Sequence, residues 1–390
     1  MSSPLIIVAD AHIWGVESAF SAFPGFKVDL RIVESRDITS ETVRGADILL
    51  TRSSTRVNAD LLQGSKVRFA ATATIGDDHY DKAYLESRGI PFANAAGSST
   101  KSVIEYMIAT LFELHSGGLI HIPKTCIGII GAGRIGSGLE KICRDLGMDI
   151  LVNDPPRARL EGREGFADLD ELLEQADILS LHTPLTHIGS DPSFHLIDAD
   201  RLERFRGRGL INAGRGACVD NNALLNWLDS DQKHFAALDC WENEPNISRR
   251  LLTHPGMVLA TPHIAGHSLD GKAANTQFAH NALCSYLGIN KEWDMREQLP
   301  LVDTDPVQIK AGGDIWSQLR LAIIRLYNIR EDDLLLKTSS RYVDDEMAKS
   351  FTKMRQNYPI RRSWNKHPVH FTKLSPELGK MSAGLGLNVV

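Results

Sequence analysis

Short apolar runs rich in β-branched residues alternate along the chain with stretches whose apolar residues recur at helical spacing. LIIVA, ADILLT, VRFAATAT and IPFANA have the first character, and NADLLQ and YDKAYLESRG between them have the second. A long helical stretch, STKSVIEYMIATLFELHSGG, follows. The rhythm then restarts with CIGIIG, DILVND, DILSLHTP, GLINAG, HFAALDC and MVLATPH. Alternation of this kind predicts parallel sheets joined by crossover helices.

Two such series predict an α/β chain with two doubly wound parallel-sheet domains of the Rossmann or flavodoxin kind. The first covers residues 1–102 and is completed by a returning helix at about 268–288, and the second covers residues 103–267. Residues 289–390 predict a third, small C-terminal α/β domain. It includes a helix with Ile315, Leu319, Ile323 and Leu326 on one face, and it carries no phosphate loop or catalytic motif. That face can pack in the domain's own core or between two copies of the chain.

Composition narrows the function classes. A net charge of -6 over 390 residues argues against a nucleic-acid footprint, which needs a clustered basic surface. The densest basic cluster, RQNYPIRRSWNKH, reads as a solvated face. No apolar run reaches the ~18 residues of a membrane span. The opening MSSPLIIVADAHIW has no basic start and reads as a first strand rather than a signal peptide. Cysteines 126, 143, 218, 240 and 284 have no paired spacing, which predicts a reduced cytoplasmic protein without disulfides. None of the 14 histidines forms an i, i+4 pair around a glutamate, so no metal is expected.

Chemistry enters with CIGIIGAGRIGSGLEKICRDLG. Gly131, Gly133 and Gly136 follow an apolar strand and open a helix, with Arg134 and Ile135 between them. That spacing lets the chain turn sharply and lets backbone N–H groups approach a pyrophosphate. The next strand ends in Asp154, 18 residues after Gly136, where a carboxylate binds an adenosine ribose and repels a 2′-phosphate. Arg157 nearby could receive such a phosphate, but Asp154 favours NAD over NADP.

Three later strand ends carry candidate catalytic groups. INAGRGACVDNNAL places Arg215 between two glycines, DCWENEP supplies Asp239, Glu242 and Glu244, and TPHIAGH supplies His263. Ligands of open α/β sheets bind at such ends. Oxidising a hydroxy acid needs a cation for the carboxylate, which arginine grips with two donors, and a base for the hydroxyl proton, for which histidine is suited. A carboxylate behind the histidine orients its ring.

The set GAGRIG, NAGRG, DCWENEP and TPHIAG resembles the D-isomer-specific 2-hydroxyacid dehydrogenases over roughly residues 40–285. TRSSTRVNADLL, ATATIGDDHYD, NDPPR, LHTPLT and HIAGHSLDGKA resemble one branch of that family, and YNIREDD and FTKMRQNY resemble the extra C-terminal domain of that branch. The resemblance implies that Arg215 is the catalytic and substrate-binding arginine. Glu244, rather than Glu242, is then the acid partner of His263, which gives or takes the proton. It assigns the ribose to Asp154, the nicotinamide amide to Asp239, and further cofactor contacts to Thr183 and Gly266. Ser53 and Thr74 fall at substrate-binding positions, and His267 stands where the branch often has a tyrosine that reaches the substrate. The implied substrate is a small phosphorylated hydroxy acid, with Arg52, Ser53 and Lys101 as candidate phosphate donors, and the implied assembly is a homodimer through the C-terminal domain. Two alternatives stay open: a sister dehydrogenase of the 3-phosphoglycerate or glyoxylate type, and a non-enzymatic NAD-sensing protein of the corepressor kind.

Overall fold

Five parallel strands, β1 (Leu5–Asp10), β2 (Val28–Val33), β3 (Ile48–Thr51), β4 (Phe69–Thr72) and β5 (Phe92–Ala93), build the first sheet of the computed structural model, which describes residues 3–390. Their order is β2-β1-β3-β4-β5. Side chains alternate across a strand, so one run feeds two cores. Ile7, Ala9, Ile48, Leu50, Phe69 and Ala71 join one buried cluster, while Val8, Leu49 and Ala70 join another. Helix Leu269–Leu287 returns to the first cluster with Ala279, Leu283 and Cys284, and ends on Gly288 at φ +67. Strand β2 has no counterpart among the expected runs. It is an outer strand with Asp29, Arg31 and a half-exposed Ile32, so its pattern is mixed.

By compactness the chain divides into two units: residues up to Thr100 together with Ser268–Leu301, and Lys101–His267 together with Val302–Val390. The second unit contains β6 (Cys126–Ile130), β7 (Asp149–Asn153), β8 (Ile178–Leu181), β9 (Gly209–Asn212), β10 (Phe235–Leu238) and β11 (Met257–Ala260). All are parallel, in the order β11-β10-β9-β8-β6-β7. The chain reverses its winding between β6 and β8, which opens a crevice at their carboxyl ends. Strands β8, β9 and β10 are buried along their whole length, as parallel strands covered on both faces are.

The C-terminal residues form a three-stranded parallel sheet, β12 (Val307–Ile309), β13 (Pro368–Phe371) and β14 (Asn388–Val389), with helices Ile315–Leu326, Ile329–Ser339, Asp344–Gln356 and Pro376–Gly384. Its core is not separate. Ile309, Leu319, Ile323, Trp364, Val369 and Phe371 belong to the same buried cluster as Phe112, Ile127, Ile129 and Phe235 of the six-stranded sheet. The apolar face of helix Ile315–Leu326 therefore points into its own unit, with Leu319 and Ile323 buried and Ile315 and Leu326 partly so.

Polar links reinforce that packing. Arg320 and Arg330 both pair with the buried Glu113 at 2.9 Å. From helix Ile329–Ser339, Asp333 accepts the Ala260 N–H at 2.8 Å, and Lys337 and Arg330 donate to the carbonyls of Met257 and Val258 at 2.9 Å. The basic cluster RQNYPIRRSWNKH is not a solvated face. Trp364 is fully buried, and the buried Arg361 guanidinium lies 4.2 Å from the Tyr327 ring centre. Aromatic rings lower the cost of burying a cation, and a charge count along the sequence misses this. No described helix is long and apolar enough to cross a membrane.

Candidate active site

The glycine loop follows β6. Gly131 has φ +89, and a Cβ on it would meet the backbone of His182 and Thr183 at 2.9 Å. A Cβ on Gly136 would lie 2.0 Å from the Gly131 carbonyl oxygen, so only glycine lets helix and turn pack. Gly133 is different: nothing lies within 4 Å of its Cβ position. It precedes helix Arg134–Asp145, whose first turn has no side-chain cap. Uncapped N–H groups facing open space suit a pyrophosphate.

Asp154 ends the turn after β7. Its Oδ2 accepts the Ala132 N–H at 2.8 Å, which ties it to the glycine loop, and its Oδ1 accepts the Arg157 N–H at 3.0 Å. The Arg157 side chain is committed to the Ala132 carbonyl, the Ser137 hydroxyl and Glu161. These residues fit a dinucleotide with a plain ribose. Thr183 lies two residues past β8, with its hydroxyl 3.4 Å from Cys218 Sγ. Beside it His182 shares a hydrogen with Ser180 Oγ at 2.9 Å, and its Nδ1 is buried without a partner. Burial pushes the His182 imidazole down to about 4.

Arg215 follows β9 and leads into a short helical turn, Gly216–Cys218. The glycine after it is obligatory: a Cβ on Gly216 would fall 1.9 Å from the carbonyl carbon of Trp241. The backbone on the carboxyl side of the arginine is thus fixed. Its Nη1 donates to the Gly214 carbonyl at 2.8 Å, and its own carbonyl accepts from Asn212 Nδ2 at 2.9 Å.

Asp239, just past β10, organises the segment after β11. Its Oδ1 accepts from the Thr261 hydroxyl and the Ile264 N–H, each at 2.7 Å, and its Oδ2 accepts the Ala265 N–H at 3.0 Å. Burial pushes this carboxyl above its ordinary range, against the opposing pull of His263 and these hydrogen bonds. The same segment holds His263 at φ +54, a conformation few non-glycine residues adopt. There the imidazole Nδ1 meets Glu244 Oε2 at 2.8 Å, and Glu244 Oε1 accepts the Trp241 N–H at 2.7 Å. Burial pushes the Glu244 carboxyl up. The charge and hydrogen bond of His263, then Arg355, then the Trp241 amide pull it down, and it ends below the usual carboxylate value. Glu242 turns elsewhere, to His195 Nε2 at 2.6 Å and the Asn221 N–H at 3.2 Å.

The structure therefore brings Arg215, Glu244 and His263 to the ends of three adjacent strands, with Asp239 and Cys240 between them. Gly266 and His267 follow in the same segment, and the His267 ring stands edge-on to Tyr358 at 5.9 Å. Two groups of possible metal ligands, Cys240–Glu244–His263 and His195–Asp220–Glu242, have ligand atoms within 4.8 Å of one another. The hydrogen bonds above already occupy Glu244, His263, Glu242 and His195. In the first unit, Arg52 and Ser53 follow β3 and Thr74 follows β4. Arg52 donates to the His12 carbonyl at 3.2 Å, Ser53 is exposed, and Thr74 Oγ1 lies 2.7 Å from Thr72 Oγ1. Lys101 is exposed in the first turn of helix Thr100–Ser116.

Tyr358 and Arg361 are neighbours of this site that the sequence did not single out. Arg361 Nη2 donates to the Ala265 carbonyl at 2.8 Å. The mixture of aromatic and basic residues from Tyr358 to Trp364 is the signal that could have found them.

Residues 115–265 match the family model for the NAD binding domain of D-isomer specific 2-hydroxyacid dehydrogenase, and residues 298–385 match a domain of unknown function. The chain is 39% identical to erythronate-4-phosphate dehydrogenase of Azotobacter vinelandii, over 98% of this chain and all of that one. It is also 39% identical to the Salinibacter ruber enzyme of the same name, over 96% of both chains. Among solved structures, D-lactate dehydrogenase of Aquifex aeolicus superposes with a TM-score of 0.61 at 21% identity, covering 73% of this chain and 95% of that one. The 3-phosphoglycerate dehydrogenase of Entamoeba histolytica gives the same TM-score at 18% identity, over 73% and 96%. These two solved structures share the fold. With full-length relatives this similar, the chain belongs to the erythronate-4-phosphate dehydrogenases, within the D-isomer-specific 2-hydroxyacid dehydrogenase family.

Proposed function

We propose that the chain catalyses the NAD-dependent oxidation of 4-phospho-D-erythronate at C2, giving the 2-oxo acid, NADH and a proton, as a step of pyridoxal phosphate biosynthesis. The observation that carries the reading is the Glu244–His263 pair at 2.8 Å, set at strand ends beside an open glycine loop. Bound NAD would supply the acceptor for the hydride that leaves C2. The Gly131, Gly133 and Gly136 loop with Arg134 and Ile135 would cradle its pyrophosphate. Asp154 would hold its ribose, Asp239 would lie near its nicotinamide amide, and Thr183 and Gly266 would make further cofactor contacts.

Arg215 binds the substrate carboxylate and draws charge toward the developing carbonyl, a task suited to a two-donor cation. His263 Nε2, the nitrogen turned away from Glu244, takes the hydroxyl proton. Glu244 fixes the ring by holding Nδ1–H and offsets the imidazolium that forms. Ser53, Thr74 and His267 are proposed to contact the substrate, with Arg52, Ser53 and Lys101 as donors to its phosphate.

A homodimer is also proposed. The face of helix Ile315–Leu326 is turned inward, so the support comes from exposed Leu334, Leu335, Tyr342, Val343 and Ile360 in the C-terminal residues. A monomer in sedimentation at micromolar concentration would remove that part of the proposal. Five free cysteines fit a reducing compartment such as the cytoplasm.

NADH formation at 340 nm, measured over a panel of plain and phosphorylated 2-hydroxy acids, tests the activity. Erythronate 4-phosphate should lead the panel, with erythronate itself, 3-phosphoglycerate and reduction of glyoxylate far behind in kcat/KM. Equal efficiency with and without the phosphate would overturn the substrate, and no turnover of any hydroxy acid would overturn the enzyme.

A further inference from the structure

Helix Asp344–Gln356 buries Met347 and Phe351, and the next position on that face is Arg355. Helix positions four apart share a face, so the pattern calls for another apolar side chain there. Instead a guanidinium points inward, with 26% of its side chain exposed. Its Nη1 lies 3.9 Å from Glu244 Oε2, the oxygen that also meets His263 Nδ1 at 2.8 Å. That separation is too long for a hydrogen bond and short enough for charges to interact strongly. The Arg355 Nε is buried and has no hydrogen-bond partner.

Two more residues of the same short segment reach the site. The Tyr358 ring stands against His267, and Arg361 Nη2 holds the carbonyl of Ala265. Three side chains within seven residues thus reach Glu244 and, in the segment that follows His263, Ala265 and His267.

We propose that Arg355 is a positioning residue of this site, reaching from the C-terminal segment to keep Glu244 anionic and aligned on His263 Nδ1, a role that rests on the dehydrogenase reading above. The charged and titratable groups around Glu244 are His263 after β11, Arg355 on its helix, and Cys240 after β10. Arg215 and Asp239 act in turn on the Cys240 thiol. A general base must be neutral while it waits for its proton, so the imidazole then lends Glu244 no positive charge. Arginine never loses its own. Arg355 is the cation within 4.0 Å that holds the carboxylate ionised through that stage.

The test is the pH dependence of kcat/KM for NADH formation from 4-phospho-D-erythronate by Arg355→Gln, Arg355→Met and Arg355→Lys. Neutralising Arg355 lets the Glu244 carboxyl rise and takes a cation from beside the Glu244–His263 pair, so the pair takes up its proton at higher pH and the acid limb of activity moves up. The expected displacement is about half to one pH unit, since the guanidinium is partly exposed. Well above the limb, the neutral variants should work within about threefold of wild type, with KM for NAD unchanged and NAD fluorescence quenching intact, whereas Arg355→Lys should keep the wild-type limb. If Arg355→Gln does not fold, Arg355→Met carries the same reading with a side chain suited to the apolar face. An acid limb that stays in place in a folded neutral variant overturns the role, as does a loss confined to KM. Wild-type protein without turnover of any hydroxy acid would instead sink the dehydrogenase reading on which the role depends.

Discussion

Gly216 and Trp241 meet backbone to backbone: a Cβ on the glycine would lie 1.9 Å from the tryptophan's carbonyl carbon and oxygen. This contact explains the glycine that follows Arg215. The backbone on the carboxyl side of Arg215 is pressed onto the turn that carries Glu244, so Arg215 and Glu244 share one support. Gly216→Ala should therefore lower stability by about 1–3 kcal/mol, the scale of an overpacked core, and lower kcat/KM as Arg215 is displaced. Urea unfolding and initial rates check both, and an unchanged variant would show that the two loops are not in contact.

Removing the proposed proton acceptor should be felt in turnover. His263→Ala is expected to reduce kcat by about 10²-fold or more, the usual contribution of a general base. Glu244→Gln should cost less and should abolish the part of the acid limb that follows protonation of this carboxylate. Steady-state kinetics across pH read both, and wild-type profiles in the two variants would take the pair out of the mechanism.

Cofactor preference should follow Asp154. Because the carboxylate also caps helix Pro155–Glu161, alanine would remove the cap along with the charge, whereas Asp154→Ser keeps a capping oxygen. The expected result with Asp154→Ser is an NAD over NADP preference narrowed by about tenfold, or ~1.4 kcal/mol. A wild-type chain that already prefers NADP would contradict the reading of this strand end.

Acid should weaken the fold through His182. The folded state holds this imidazole neutral down to about 4, while an unfolded chain protonates it near its ordinary 6.5. A base with a depressed folded value stabilises the native state above the unfolded value and loses that contribution as pH falls. The loss should run between 6.5 and about 4. It should reach at most about 3 kcal/mol, and less for the partial exposure of the residue. His182→Asn should show a flatter fall in urea-unfolding stability over that window, and parallel curves would exclude the assignment.

Much of this architecture can be read from the sequence because parallel strands buried on both faces leave continuous apolar runs. Strand β2 escapes that logic, since Asp29 and Arg31 face outward on an outer strand. The glycine loop is legible because Gly131 and Gly136 answer steric demands that no other residue meets. The choice between Glu242 and Glu244 is not legible from spacing, because both lie a few residues past the same strand, and it comes here only from the resemblance. The hydrogen bonds separate them, one carboxylate meeting His195 and the other His263. The C-terminal segment is the least legible part. Helical periodicity shows that Leu319 and Ile323 are covered but not by what, and a basic run gives no hint that Arg355 and Arg361 turn inward.

Strand β11 ends its sheet, and an unprotected strand in that place is a template on which another chain can continue the ladder. Here the side chains of Asp333, Arg330 and Lys337 occupy the Ala260 N–H and the carbonyls of Val258 and Met257. The helix thus acts as a stopper against strand addition. A chain cut before Val302 would lose that stopper together with the Leu319 and Trp364 side of its core. Its expected fate is edge-to-edge association rather than a well-behaved nucleotide-binding fragment.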